Sequence, residues 1–399
     1  MRSLKFNIHD LNFILTFAGF AIFTSITDSI SSIAYRGFAL AIALLCLINT
    51  RLQFKKIPRP LVLLLVLIVV LDFKTGIHLL LDETPYLTSK YLALLFVFCI
   101  TLVPLLAFAS GYRRIHWMQV LFVLEILLVF TVLKGLIQTF GSTEDVRFSL
   151  NARQSTLAFG DNSGYLLLLS TCLFIYLKRA KEKKKRRIGR LLLVLAMFIS
   201  VFGIARAGSR GPFLAALLGE VFIFYTLSIR KKAYVLVVAA AAILFFGITG
   251  SSLRRFAPVL YSRMADTIEE GDMNGRQFLF SQAINLMKKY PISGDNPIII
   301  LRDGFTTYHN GYLDVGVCLG WIGFFFYVFL SIWIAIRLLS RRHLIISVPQ
   351  LFCAAQFFLS ATRAMTGATL LSNSNYALSI ACACLVAYQL SSKEGTLFT

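Results

Sequence analysis

Charged residues are scarce in this sequence: they make up 15% of the chain, against 57% for hydrophobic residues. With a mean hydropathy of +0.75, the 399 residues carry more apolar surface than a soluble domain could cover, so lipid must be the solvent for most of the chain. The apolar stretches also lack the alternation of polar and apolar residues that is typical of outer-membrane barrel strands. The composition therefore predicts an all-α, polytopic integral membrane protein built as a helical bundle.

The sequence also lacks the spaced ligand sets of metal sites. It contains no His-x-x-x-His, no Asp-x-Asp and no spaced group of Cys and His residues. A cytoplasmic Rossmann domain with an Asp-x-Asp-like pair is missing too, which disfavours a nucleotide-sugar donor. The cysteines all fall within apolar spans, where we interpret them as small apolar residues: Cys46, Cys99, Cys172, Cys318, Cys353, Cys382 and Cys384. We expect no metal and no other cofactor.

About twelve apolar spans recur along the chain, and most approach the ~20 residues that one helix needs to cross a bilayer. They lie near residues 10–27, 34–50, 60–72, 91–110, 117–139, 160–177, 191–204, 211–229, 233–249, 311–336, 344–361 and 375–390. We interpret residues 1–399 as a single membrane domain.

The basic residues gather in every second connection between these spans. Those connections are Arg51–Arg59, Arg113–Arg114, Lys178–Arg190, Arg230–Lys232 and Arg337–His343. By the positive-inside rule they face the cytoplasm, which places both termini there and predicts a multi-pass inner-membrane protein. The net charge of +21 is thus an orientation signal directed at membrane lipids, and without a soluble basic module we expect no nucleic-acid partner.

The longest outward connection covers residues 250–310 and is predicted to be a large periplasmic loop. Apolar residues recur at helical spacing from Gln277 to Lys289, which predicts an amphipathic helix, and Pro291 and Gly294 mark a turn after it. The loop is too small to fold alone, so we expect it to fold onto the bundle.

Arginines on the outward side are candidates for binding a phosphorylated substrate. Arginine binds phosphate oxygens in a bidentate way and keeps its charge in a partly dry site. Arg206 and Arg210 are four residues apart, hence on one helical face if the turn between them is helical. Gly208 and Gly211 would let a phosphate approach the backbone closely. The alternative is that both arginines are ordinary interfacial residues that extend to lipid headgroups.

His309 is the candidate for proton transfer. It lies where the long outward loop re-enters the membrane, and histidine is the side chain best suited to exchange a proton near neutral pH. Asn310 beside it could hold a sugar hydroxyl. The alternative is a histidine at a helix start that only packs against Tyr308.

These residues fall in motifs that resemble those of the bacterial O-antigen ligases of lipopolysaccharide assembly. His309-Asn310 is followed after nine residues by Gly320 and, two residues later, by Gly323. The family's Ser-Arg-Gly at a span start is similar to residues 209–211. Its Gly-Arg before an amphipathic helix and a Pro-x-x-Gly turn is similar to residues 275–276 and 291–294.

The resemblance implies a glycosyltransferase that moves O-antigen polysaccharide from undecaprenyl pyrophosphate to lipid A-core, with its active site on the periplasmic side of the inner membrane. It implies His309 as general base on the acceptor hydroxyl. Arg210 and Arg276 would hold the pyrophosphate, with Arg206 and Asn310 as further substrate-binding residues. The activated phosphoester supplies the driving force, so no metal is needed.

Two alternatives remain open at this stage. O-antigen polymerases share the same motifs and use two undecaprenyl-pyrophosphate-linked substrates. A polysaccharide flippase has a similar number of helices, but it would need charged groups along a path open to both faces, whereas the candidate residues here crowd one face.

Overall fold

The computed structural model describes most of the chain in twelve segments. They are residues 6–19, 32–50, 57–81, 101–138, 156–177, 183–227, 262, 276–296, 299–301, 304–367, 370 and 374–392. The predicted span 233–249 and most of the predicted loop before residue 276 lie outside these residues.

Helices dominate the described residues, as the composition predicts. The α-helices are α1 (Ile8–Ile14), α2 (Ser32–Thr50), α3 (Arg59–Leu81), α4 (Val103–Gly111), α5 (Trp117–Gln138), α6 (Thr156–Leu177), α7 (Lys183–Arg206), α8 (Arg210–Thr226), α9 (Arg276–Lys289), α10 (Gly311–Ser340), α11 (Val348–Thr366) and α12 (Ser374–Ser391). Short 3-10 turns follow α4 and α10, and a π-helical turn extends α1. A small antiparallel hairpin, β1 (Ile299–Leu301) with β2 (Gly304–Thr306), is the one departure from the all-α prediction among the described residues.

Five of these helices, α3, α5, α6, α7 and α10, contain stretches long and apolar enough to cross a membrane. Their outer faces are apolar as well: in α5, Ile126 is 67% exposed and Phe130 50%, while Leu124 and Leu128 on the inner face are fully buried. Large exposed apolar side chains in a regular stripe are typical of a lipid-facing surface. The structure thus fits a helical membrane bundle, and the predicted number of about twelve spans stays a prediction.

Two predicted spans were too short. The span at 60–72 belongs to a helix that continues to Leu81, and the span at 191–204 belongs to one that begins at Lys183. The predicted connection at Lys178–Arg190 is therefore helical over its second half. Hydropathy marks only the apolar part of a helix, whereas backbone hydrogen bonding continues through the charged residues beyond it.

The core lies around α12, whose residues from Tyr376 to Leu390 are almost all buried. Small side chains such as Ala381, Cys382 and Cys384 let the neighbouring helices approach α12 closely. The six cysteines within the described residues are buried and carry no disulfide, which agrees with their interpretation as small apolar residues.

Glycines also set the spacing between α6, α7, α8 and α11. A Cβ atom on Gly203 of α7 would lie 2.4 Å from Ser163 Oγ of α6. A Cβ on Gly219 of α8 would lie 2.8 Å from Leu168 Cδ2, again on α6. Without a hydrophobic driving force between helices in lipid, such close contacts are a main source of their association.

A kink interrupts α10 at Gly320, where φ is 68° and ψ is −167°. The turn that follows α9 fits against this kink: Asp295 N donates to Val317 O at 2.6 Å, and Trp321 N donates to Pro291 O at 2.9 Å. A Cβ on Gly294 would lie 2.2 Å from Cys318 O, and one on Gly320 would lie 2.3 Å from Pro291 O. The two glycine positions therefore permit direct backbone contact between the loop and α10.

Lys74 of α3 completes this junction. Its ammonium group donates to the carbonyl oxygens of Ser293 and Cys318. The Cys318 carbonyl, which the kink removes from helical bonding, is thereby satisfied, as buried backbone groups in a membrane protein must be.

Candidate functional site

The arginine pair lies at the turn between α7 and α8. Arg206 is the last residue of α7 and Arg210 is the first of α8, and Gly208 between them has a left-handed φ of 58°. The turn is not helical, so the condition for a shared helical face is not met. The turn instead brings both arginines to the same end of the bundle on two antiparallel helices.

Gly211 serves protein packing in this structure. A Cβ at position 211 would lie 2.8 Å from Arg363 Nη1 and 2.8 Å from Thr366 Oγ1, both on α11. The face of Gly211 that we expected to admit a phosphate is therefore occupied by the end of α11. The start of α8, with Arg210, rests directly against that end.

His309 has an unusual backbone. Its φ of 53° is the only positive value among the described non-glycine residues. The residues on either side are fixed: Tyr308 N donates to Asp314 Oδ1 at 2.9 Å, and Asn310 is the N-cap of α10. The left-handed conformation is costly for a side chain with a Cβ, and such residues cluster at functional sites.

Asn310 has a structural task that sequence reasoning did not assign. Its Oδ1 accepts hydrogen bonds from Tyr312 N at 3.0 Å and Leu313 N at 3.2 Å. This is the usual N-cap arrangement, which satisfies amide groups that have no partner inside the helix. The side-chain oxygen is thus engaged, and the predicted contact with a sugar hydroxyl falls to the amide nitrogen.

The imidazole of His309 lies beside the end of α11. A Cβ added to Gly367, which caps α11 with a φ of 134°, would be 3.9 Å from His309 Nδ1. Burial, and then the positive charge of Arg276, lower the pKa of His309 below its ordinary 6.5. The imidazole is therefore neutral at pH 7, which is the form that can accept a proton.

Arg276 reaches this place because α9 is held against the first half of α10. Ala283 and Met287 on one face of α9 are buried against Tyr308 and Val317. The Met287 Sδ atom lies 2.8 Å from the position that a Cβ on Gly316 would take. With the turn after α9 fastened at the kink, the first residue of the helix, Arg276, lies within electrostatic range of His309.

The five predicted site residues thus gather at one end of the bundle. The basic residues of the connection between α10 and α11 lie at the other end, where Arg341 Nη1 donates to Leu390 O at 2.5 Å. His116, close to the Arg113–Arg114 connection, has its Nδ1 2.9 Å from Asp10 Oδ2 and is not part of the site. Within the described residues, no group of three or more His, Cys, Asp and Glu side chains could hold a metal ion.

Two residues at this end were missed by sequence reasoning: Asp161 of α6 and Arg363 of α11. They form a bidentate ion pair, with Arg363 Nε 2.5 Å from Asp161 Oδ1 and Nη2 3.1 Å from Oδ2. The signal was present for Asp161, which lies inside the apolar span predicted at 160–177, because an ionisable residue in such a span is unusual and tends to be functional. Arg363 lies just beyond the span predicted at 344–361 and became part of a bundle helix only in the structure.

Residues 195–328 match the protein-family model described as O-antigen ligase. The match covers Arg206, Arg210, Arg276 and the whole motif from His309 to Gly323. No curated protein matches the chain. The family resemblance inferred from the motifs is confirmed over this third of the sequence.

Proposed function

Because residues 195–328 form an O-antigen ligase domain, we propose that this protein transfers O-antigen polysaccharide from undecaprenyl pyrophosphate to lipid A-core. The observation that carries the proposal is the convergence of a neutral, half-buried histidine with Arg276 and the Arg206–Arg210 turn at one end of a membrane bundle. By the charge distribution of the connections, that end is the periplasmic side of the bacterial inner membrane.

The chemistry follows from the state of His309. The neutral imidazole removes the proton from an acceptor sugar hydroxyl as its oxygen attacks the anomeric carbon of the donor. The bond between that carbon and the pyrophosphate oxygen breaks, and its electron pair stays with the leaving group. Configuration at the anomeric carbon inverts, and undecaprenyl pyrophosphate departs.

The arginines neutralise the charge that develops on the leaving group. Arg210 and Arg276 hold pyrophosphate oxygens through bidentate contacts, and Arg206 adds positive charge at the same turn. Asn310 fixes the start of α10 and offers its amide nitrogen to the acceptor. Both substrates are lipid-anchored, which accounts for a site at the end of a membrane bundle.

The lipopolysaccharide of a strain that lacks the protein tests the proposal. For a ligase, gel electrophoresis shows lipid A-core without any polysaccharide while lipid-linked polymer accumulates. The domain family includes polymerases as well as ligases. Core that carries a single repeat unit identifies a polymerase instead, because the repeat is then attached to the core but not extended. Unchanged lipopolysaccharide refutes both. Expression of the wild-type protein from a plasmid is the matched control and restores the original pattern.

A further inference from the structure

The strongest unexplained feature outside the predicted site residues is the ion pair between Asp161 and Arg363. Arg363 is only 4% exposed, and both residues belong to helices of the membrane bundle. Taking two charges out of water is costly unless the geometry is good and the other polar atoms are satisfied. Here the fork of the guanidinium meets both carboxylate oxygens.

The remaining nitrogen of this guanidinium is also occupied. Arg363 Nη1 donates to Thr366 Oγ1 at 2.8 Å, one turn further along α11. The same two atoms are those that a Cβ on Gly211 would meet at 2.8 Å. The guanidinium, which donates from all three of its nitrogens, therefore forms the surface on which the first turn of α8 rests, beside Arg210.

The same turn of α11 reaches the histidine. Gly367 follows Thr366, its N–H donates to Arg363 O, and its α-carbon faces His309 Nδ1. A segment of five residues, from Arg363 to Gly367, thus packs against the start of α8 and ends beside the imidazole. Asp161 fastens this segment to α6.

We propose that Asp161 and Arg363 are positioning residues, which hold Arg210 and His309 at their working separation without touching substrate. The inference rests on the proposed function and deepens it by adding α6 and α11, outside the matched domain, to the site. A displacement of about 1 Å in a catalytic group can cost ~100-fold in rate. Loss of the pair should therefore act on the rate of transfer more than on substrate binding.

Three variants test this with purified full-length protein in nanodiscs, lipid-linked polysaccharide as donor and lipid A-core as acceptor. Asp161→Asn removes the charge partner, Arg363→Lys keeps the charge but loses the fork, and Thr366→Val removes only the third acceptor. We expect kcat to fall about 10- to 100-fold in the first two. We expect a smaller loss in Thr366→Val, and a KM for the acceptor within about threefold of wild type in all three.

A partly buried polar pair between α6 and α8 supplies the control. Thr171 Oγ1 of α6 donates to Glu220 Oε1 of α8 at 2.9 Å. It lies about 15 Å further along α6 than Asp161, given the 1.5 Å rise per residue. Glu220→Gln should leave kcat unchanged when expressed per folded molecule.

A double-variant comparison separates positioning from a general effect on folding. If the pair acts through Arg210, Asp161→Asn should cost clearly less in an Arg210→Lys background than in the wild type. Full additivity overturns the proposal. So does a kcat per folded molecule that stays at the wild-type value in both Asp161→Asn and Arg363→Lys, since their loss would then lie in stability alone.

The activity of the wild-type enzyme distinguishes failure of the positioning role from failure of the proposed function. If wild type transfers polysaccharide while the variants match it, the positioning role is wrong and the proposed function stands. If wild type transfers nothing to lipid A-core and joins no repeat units, the proposed function fails, and the positioning role fails with it.

Discussion

The left-handed backbone of His309 has a cost and a consequence. A φ of +53° costs on the order of 1–2 kcal/mol for a residue with a Cβ. The anchors at Tyr308 and Asn310 hold the backbone in this state, so the ring is presented beside Gly367 before any substrate arrives. Asn and His both tolerate this region better than most residues, which makes Asn the best substitute for a test.

We expect His309→Asn to retain the backbone and to abolish transfer. Asparagine keeps a polar side chain but cannot act as a base, and a general base contributes ~100- to 10,000-fold in rate. Transfer is measured with purified protein, and donor binding is measured alongside, which should persist. His343→Asn, at an exposed position on the opposite end of the bundle, is the control and should be silent. Transfer within a few fold of wild type would remove His309 from the mechanism.

The pH dependence of transfer tests the effect of the Arg276 charge on His309. Its positive charge helps to lower the pKa of His309, so its removal should raise that pKa. The base must be neutral, so activity is lost as pH falls through this pKa, and the acid limb in Arg276→Gln should move to higher pH. Arg276→Lys keeps the charge and should leave the midpoint in place, although both variants lose rate. An unmoved midpoint in Arg276→Gln would mean that His309 does not set the acid limb.

Residue type and motif spacing predicted His309, Asn310 and the three arginines as members of one site. They did not predict Asp161 and Arg363, which are 202 positions apart in the chain. A lone charge in an apolar helix gives the same signal whether it pairs with a distant partner or extends to a headgroup. Only the packing of α6 against α11 distinguishes the two.

At the scale of elements, the decisive feature is the turn after α9, which fits into the kink of α10. The sequence predicted α9 to within one residue at its start, because an amphipathic face repeats at helical spacing. It did not predict the kink at Gly320, because the apolar run from 311 to 336 has the pattern of one continuous helix. The break is recognised only in the structure, where Lys74 and the amide of Asp295 donate to two α10 carbonyls, those of Cys318 and Val317.

We expect Gly294→Ala to displace α9 and with it Arg276. The new methyl group would lie 2.2 Å from Cys318 O, and φ at this position is +65°, so strain of about 1–3 kcal/mol adds to a backbone clash. Transfer should fall at least tenfold, and the melting temperature in detergent should drop. Gly37→Ala in α2 is the matched control: among the residues that the structure describes, no atom outside its own helix lies within 4 Å of its Cβ position, so stability should be unchanged or slightly higher. Wild-type transfer by Gly294→Ala would show that the docked turn does not position the site.

At the scale of the whole molecule, the candidate site and the basic connection between α10 and α11 lie at opposite ends of the bundle. α6, α8, α10 and α12 begin at the end where α7 and α11 finish, and this end holds His309 and the arginine turn. The other end carries the basic connection between α10 and α11, where Arg342 stacks on Tyr225 at 3.9 Å. Apolar runs and basic loops were enough to predict this polarity, since both are read locally along the chain. The distances within the site could not be predicted in this way, since they depend on contacts between helices that are distant in the sequence.

This polarity gives a prediction for labelling in a cysteine-free background. Ser281 of α9 and His343 after α10 are both exposed, and they belong to the two different ends. A membrane-impermeant thiol reagent applied to intact spheroplasts should modify Ser281→Cys and not His343→Cys, because positive connections stay in the cytoplasm. Permeabilised cells supply the control, in which both positions should react to a similar extent. Labelling of His343→Cys alone in intact spheroplasts would invert the topology, put His309 on the cytoplasmic side and leave it out of reach of substrates presented outside.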